Sequence, residues 1–253
     1  MRTGTDGFAD SLQRLKSAQK SAKGAPLYSV VVNRPLGRIF AAAAHQLGMT
    51  PNGVTAVSAV FTFAGIGLIA LGSPTWTSGI LIAALLVVGY ALDSSDGQLA
   101  RLRGGGSLLG EWLDHVVDSL KVVSIHLAVL VMAFRHFDTP RWWLLVPLGF
   151  AIVTVVHFFG MLLTELLARS IGAPKGGGEA STLMAAAKLP TDYGVLCLSF
   201  ALLGSEAMFR SVYTVLAVAT ALYTALVVVR WARRIRDLDD ARSSVAAREA
   251  VHV

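Results

Sequence analysis

Charge is scarce in this chain. Only 15% of its 253 residues are Asp, Glu, Lys or Arg, against roughly 25% in soluble domains. Cysteine is nearly absent, and the single Cys197 excludes an intrachain disulfide. Its place in an apolar run reads as a buried, inert thiol. There is no zinc-type Cys/His spacing and no internal repeat. Residues 1–25 are polar, so no signal peptide is read at the start. What remains is apolar: 54% of the residues are hydrophobic.

That apolar content falls into segments near 54–72, 78–100, 108–134, 143–168, 192–205 and 210–229. A membrane span needs about 20 residues, so the expectation is an all-α, polytopic integral membrane protein with about six transmembrane helices. The fifth segment is short and follows Pro190. Residues 1–48 read as a cytoplasmic arm, 49–232 as the membrane catalytic domain and 233–253 as a polar tail. Within 26–47, Tyr28, Val31, Leu36, Ile39 and Phe40 alternate with Arg34 and Arg38. This pattern suits either an N-terminal interfacial amphipathic segment or a surface arm covering the cytoplasmic face.

Basic residues fix an orientation. One side of the six spans collects Arg14, Lys16, Lys20, Lys23, Arg34 and Arg38, then Arg101 and Arg103. Arg169, Lys175, Lys188, Arg230, Arg233, Arg234 and Arg236 fall on the same side, while Arg135, Arg141 and Arg210 fall opposite. The positive-inside rule places both termini and the 101–107 loop in the cytoplasm. Trp142, Trp143 and Trp231 are expected in the interfacial aromatic belt. The net charge of +6 is strung along membrane edges, which points to anionic headgroups and to no nucleic acid.

Against this background the carboxylates stand out, because ionisable groups at membrane depth are costly and their default reading is functional. Asp93, Asp96, Gly97, Ala100 and Arg101 share one face of a helix by their i, i+3, i+4, i+7, i+8 spacing. Gly110, Asp114 and Asp118 repeat every four residues and line one face of the next. The Gly-rich loop 101–107 is short enough to force an antiparallel hairpin, bringing the two acidic faces together. Four ionised Asp side chains call for about two divalent cations, and all-oxygen ligands suit Mg²⁺ or Mn²⁺. Paired cations are suited to phosphoryl displacement. Gly97 and Gly110 let a bulky ligand approach the backbone, and Arg101 is suited to gripping a phosphate.

The pattern D-x2-D-G-x2-A-R-x8-G-x3-D-x3-D, filled here from Asp93 to Asp118, resembles the signature of the CDP-alcohol phosphotransferases at every fixed position. Thr50-Pro51-Asn52-Gly53-Val54-Thr55 resembles the family's T-P-N-x-x-T donor segment. Arg101 to Ser107 resembles the R-x-R-G-G-G-[ST] loop of actinobacterial phosphatidylinositol-phosphate synthases. Gly110 to Ser119 instead resembles the G-E-x-x-D-H-x-x-D-S of choline and ethanolamine phosphotransferases. Met161 to Arg169 departs from the S-Y-x-[KR]-A-R-A-E-like segment of synthases using inositol phosphate or glycerol phosphate, so the acceptor stays open.

The resemblance implies a CDP-linked lipid donor, above all CDP-diacylglycerol, a hydroxyl acceptor and release of CMP. It implies metal ligands Asp93, Asp96, Asp114 and Asp118, with Asp118 also the base. It gives Asn52, Thr55, Gly97, Ala100, Arg101, Ser107 and Gly110 to the CDP part, and a homodimer by analogy. Two alternatives stand beside it: CDP-choline or CDP-ethanolamine as donor to diacylglycerol, and a cation-coupled transporter.

Several residues carry bland readings beside sharp ones. His126 and His157 read chiefly as hydrogen-bonded packing residues within spans. Glu111 and His115 either tune acceptor choice or sit on a wet helix surface. Lys121 either binds an acceptor phosphate or snorkels. Arg169, Lys175 and Lys188 either bind an anionic acceptor or set topology, and Gly176-Gly177-Gly178 reads as a loop.

Overall fold

The structure, a computed structural model, describes residues 7–17, 26–173 and 191–251. Lys20, Lys23, Lys175, Lys188, Pro190 and Gly176–Gly178 lie outside the described residues. Every regular element is helical among those described: α1 (Phe8–Ser17), α2 (Arg34–Gln46), α3 (Pro51–Leu71), α4 (Trp76–Leu102), α5 (Leu108–His136), α6 (Leu145–Ser170), α7 (Tyr193–Ser199) and α8 (Glu206–Val251). A π-helical turn, Ser29–Asn33, leads into α2, and short 3₁₀ turns lead into α6 and out of α7.

Local chemistry sets the ends of the α4–α5 hairpin. Leaving α4, Gly105 N donates to Ala100 O at 2.9 Å and Gly104 N to Arg101 O at 3.2 Å. This is a Schellman closure, and Gly104 sits at φ +96, open to glycine at little cost. Two residues later Ser107 caps α5, its Oγ accepting from Gly110 N at 3.0 Å. Thr50 caps α3 in the same way, with Pro51 in the first turn.

Five described helices are long and apolar enough to cross a membrane: Pro51–Leu71, Trp76–Leu102, Leu108–His136, Arg141–Ser170 and Glu206–Ser243. The expected fifth segment of the sequence is only the short apolar stretch Tyr193–Leu202. α6 and α8 run parallel: Trp143 meets Thr214, His157 meets Thr224 and Gly160 meets Trp231, in ascending order on both. Residues 193–204 run along the bundle from Lys121, beneath Tyr193, to Gly204 beside Trp76.

Close packing of small residues holds the spans together, as expected where lipid gives helices no hydrophobic reason to associate. A Cβ on Gly89 of α4 would clash with Thr62 Oγ1 of α3, and Ser58 Oγ donates to Gly89 O at 2.8 Å. The main apolar cluster gathers around Ile69, Leu86, Ile125, Phe200, Phe209 and Tyr213. A second, smaller cluster joins Leu15 and Ala41, Ala42 and Ala44 of α2 to Val54, Leu99 and Leu102. So the N-terminal segment docks its small-residue face on the bundle and leaves Val31, Ile39 and Leu47 exposed. The expectation for Trp143 is corrected: it is 2% exposed, its Nε1 donating to Thr214 Oγ1 at 3.0 Å, whereas Trp142 is 64% exposed. Cys197 is buried, as its apolar setting required. The tail beyond Arg233 continues α8 without a break.

Candidate active site

The hairpin of α4 and α5 brings the two acidic faces together. Asp93, Asp96, Asp114 and Asp118 line one polar cavity of about 180 Å³, with Gly97 and Arg101 beside them. Thr55 of α3 supports Asp96, its Oγ1 lying 2.5 Å from Asp96 Oδ2. Asn52, Ser107 and Gly110 gather next to this cavity rather than in its lining. A Cβ on Gly110 would lie 3.0 Å from Asn52 Oδ1 and 3.2 Å from Ser107 Oγ. Gly110 is thus where the starts of α3 and α5 meet. Ala100 contributes the carbonyl that closes α4 and does not line the cavity.

Three residues enter the site in roles the sequence did not assign. Lys121 is buried, and its Nζ donates to Asp93 Oδ1 at 3.2 Å and pairs with Asp118 Oδ1 at 2.5 Å. It neither snorkels nor reaches solvent, and it joins the two helices of the hairpin by charge. The i, i+3 spacing from Asp118 was the available signal. Arg34 of α2 lines the acidic cavity together with Arg101. What puts it there is a close approach of α2 to α4: a Cβ on Gly37 would lie 2.8 Å from Gln98 Nε2 and 3.0 Å from Ser94 Oγ. Gln98 Nε2 in turn donates to Arg34 O at 3.2 Å. His115 offers a ring nitrogen within 4.8 Å of carboxylate oxygens on Asp114 and Asp118.

The donor set fits hard divalent cations, being dominated by carboxylate oxygens. Lys121, Arg34 and Arg101 offset three of the four carboxylate charges, so two divalent cations would leave the loaded site net positive and suited to an anionic ligand.

Other polar residues are already committed. Arg169 bridges α5 and α6, pairing with Glu111 Oε1 at 2.5 Å and Glu165 Oε1 at 2.6 Å. His126 Nδ1 is hydrogen-bonded to Tyr213 Oη at 2.6 Å, and His157 Nδ1 to Thr224 Oγ1 at 3.1 Å. Both histidines thus have the packing role expected, while also lining a second cavity. That cavity, of about 380 Å³, adjoins the first and shares Asp93 and Asp118 with it.

A sequence model of the CDP-alcohol phosphatidyltransferase family matches residues 48–230. Cholinephosphotransferase 1 of Xenopus laevis is 32% identical over 102 residues, 38% of this chain and 25% of the relative. Archaetidylinositol phosphate synthase of Pyrococcus horikoshii is 35% identical over 107 residues, 42% of this chain and 54% of the relative. The chain thus spans between a quarter and about half the length of these relatives. Among solved structures, phosphatidylinositol phosphate synthase of Mycobacterium tuberculosis superposes with a TM-score of 0.56 in complex with manganese and citrate. That match is 19% identical and covers 79% of this chain and 88% of the other. With CDP-DAG bound, the same enzyme gives a TM-score of 0.52 at 23% identity, covering 77% and 90%. At such identity the likeness is one of fold.

Proposed function

This chain belongs to the CDP-alcohol phosphatidyltransferase family, and from that premise we propose that it is a metal-dependent membrane phosphotransferase of phospholipid synthesis. It moves the phospho-alcohol group of a CDP-linked donor, CDP-diacylglycerol in the first instance, to a hydroxyl acceptor and releases CMP. The observation that carries this reading is the meeting of four Asp carboxylates with Arg34 and Arg101 around one cavity. The manganese and CDP-DAG complexes of the Mycobacterium enzyme, which shares the fold, support it.

Asp93, Asp96, Asp114 and Asp118 would hold the cations, Mg²⁺ or Mn²⁺, two per site. When bound, they supply charge stabilisation at the phosphoryl oxygens and acidify the acceptor hydroxyl. The chain's own part is positional. Thr55 orients Asp96, and Arg34 and Arg101 clasp the donor phosphates. By family resemblance Asn52, Thr55, Gly97, Ala100, Ser107 and Gly110 pack against the CDP moiety. Asp118, steadied by Lys121, takes the proton from the acceptor hydroxyl. The acceptor oxygen forms its bond to the phosphorus bearing the donor alcohol, while the bond to the CMP oxygen breaks and CMP leaves with the electron pair.

A second reading, with CDP-choline or CDP-ethanolamine as donor and diacylglycerol as acceptor, is favoured by Asp114-His115-x-x-Asp118-Ser119 and by the match to the cholinephosphotransferase. Purified protein given each donor with a panel of alcohols separates the readings by which donor yields CMP. Activity should vanish on chelation and return with Mg²⁺ or Mn²⁺. Absence of CMP from every donor would leave transport as the better reading.

The same proposal includes the orientation given by the basic residues, with the site and both termini cytoplasmic, and a homodimer by family analogy. In a Cys197→Ala background, Gly106→Cys should be shielded from an impermeant thiol reagent in intact cells and Ser73→Cys labelled. The reverse pattern would invert the topology. A monomeric mass in detergent would remove the dimer.

A further inference from the structure

We propose that Asp192 is a positioning residue for donor binding: through Ser29, its carboxylate sets Arg34 at the acidic cavity. The inference rests on the phosphotransfer reading. It adds a second fastening of the N-terminal segment to the one that Gly37 makes on α4.

The path of contacts is short. Asp192 stands just before α7 and is 2% exposed. Its Oδ1 accepts from Gly194 N at 3.0 Å, the ordinary work of a helix cap. Its Oδ2 accepts from Ser29 N, also at 3.0 Å, in a segment 163 residues earlier. The helical turn there opens at Leu27, so Ser29 N is one of the first-turn amides that helix geometry leaves without a partner of their own. One carboxylate therefore caps two helical starts. Ser29 O in turn accepts from Arg34 N, closing the π-helical turn Ser29–Asn33. Arg34 is thus separated from Asp192 by the backbone of a single residue, and its side chain lines the cavity of the four carboxylates. Such π-turns are rare and frequently mark functional sites.

The choice of side chain argues that the second bond matters. Serine, threonine or asparagine would also cap α7, and a buried carboxylate is costlier than any of them. A carboxylate offers two acceptor oxygens and no donor, and here each oxygen meets a different N–H. Aromatic contacts close the joint. A Cβ on Gly194 would clash with the Tyr28 ring, Tyr28 stacks on Tyr90 at 6.3 Å, and Tyr90 meets Tyr193 edge-on at 5.2 Å. Gly37, three residues beyond Arg34, holds the other flank against Ser94 and Gln98. An arginine gives up rotamer freedom when it grips a phosphate, and a loose backbone beneath it would add to that cost. With both flanks fastened, only the side chain of Arg34 has to order when the donor arrives.

The test uses the purified full chain and separates the cap from the tether. Asp192→Ser keeps a capping oxygen for Gly194 N and has none left for Ser29 N. Hydrogen exchange, which needs no substrate, should show the amides of residues 30–34 exchanging about tenfold faster while those of α7 stay protected. Turnover is then measured with whichever of CDP-diacylglycerol and CDP-choline yields CMP. The donor KM should rise by roughly three- to tenfold, with kcat within a factor of a few. In an Arg34→Ala background the same substitution should change the KM by less than about twofold, because its effect is carried by Arg34. Effects that multiply, or a fall in kcat at an unchanged KM, overturn the proposal, as does unchanged exchange at residues 30–34. Should Asp192→Ser not fold, Ser29→Pro deletes the N–H from the other side, in a first turn where proline is tolerated. It should give the same exchange and KM pattern, and a native pattern in it overturns the proposal. Absence of CMP from both donors counts against phosphotransfer, and the exchange measurement still decides whether Asp192 holds the segment.

Discussion

The two ends of the bundle solve opposite problems. The half away from the carboxylates is dry and closely interlocked: Phe200, Phe209 and Tyr213 are fully buried, Phe209 and Tyr213 stack at 5.4 Å, and the Trp143 indole N–H finds a partner in Thr214. The other half keeps charge in the protein, with four carboxylates, Lys121 and two arginines around open space. Buried charges that are only partly balanced are a poor way to stabilise a fold, whereas aromatic packing contributes strongly to one. The comparison teaches that stability and chemistry are divided along the helix axes, α4 and α5 carrying both in sequence.

If that division holds, substitutions should separate by depth. The largest effect is expected from Asp118→Asn, which keeps the shape and removes the base: turnover should fall by about 10²–10⁴-fold with the melting temperature little changed. Native turnover in the variant would end the assignment of Asp118. Next comes Thr214→Val in the dry half. It preserves volume and strands the Trp143 indole N–H, costing about 1–3 kcal/mol. Thermal unfolding in detergent should register the loss, and turnover at a permissive temperature should stay at the native value. A drop in turnover without a drop in stability would break the comparison. The smallest effect is expected from Arg34→Ala, which removes one of two phosphate cations: the donor KM should rise by roughly tenfold, about 1.4 kcal/mol of binding, with kcat within a factor of a few. An unchanged donor KM would return Arg34 to a purely topological role.

Much of the site was legible in the residues because helical periodicity is local. The spacing from Asp93 to Arg101 and from Gly110 to Asp118 fixed two faces, and the glycines of the 101–107 loop fixed how they meet. Arg34 was not legible as a site residue. Its position depends on α2 docking through Gly37 against Ser94 and Gln98, some 60 residues on, and no local pattern encodes that. Lys121 was half legible: its place beside Asp118 follows from the helix, its contact with Asp93 across the hairpin does not. Trp143 misled because an indole at a span end reads as interfacial, yet a neighbouring threonine gave its N–H a buried partner. The fifth apolar segment, short in the sequence, is short among the described residues too, as the apolar helix Tyr193–Leu202.

One contact bears on how the protein is made. The pair Lys121–Asp118 lies within a single helix, at i and i+3, so it forms as soon as α5 coils. Insertion of a nascent segment charges about 2.5–3.5 kcal/mol for an isolated Asp or Lys at mid-membrane. A segment that arrives with two of its charges already joined presents the translocation machinery with a dipole in place of two ions. The cost of placing α5 in the membrane is thereby lowered by a contact that needs neither another helix nor a bound cation.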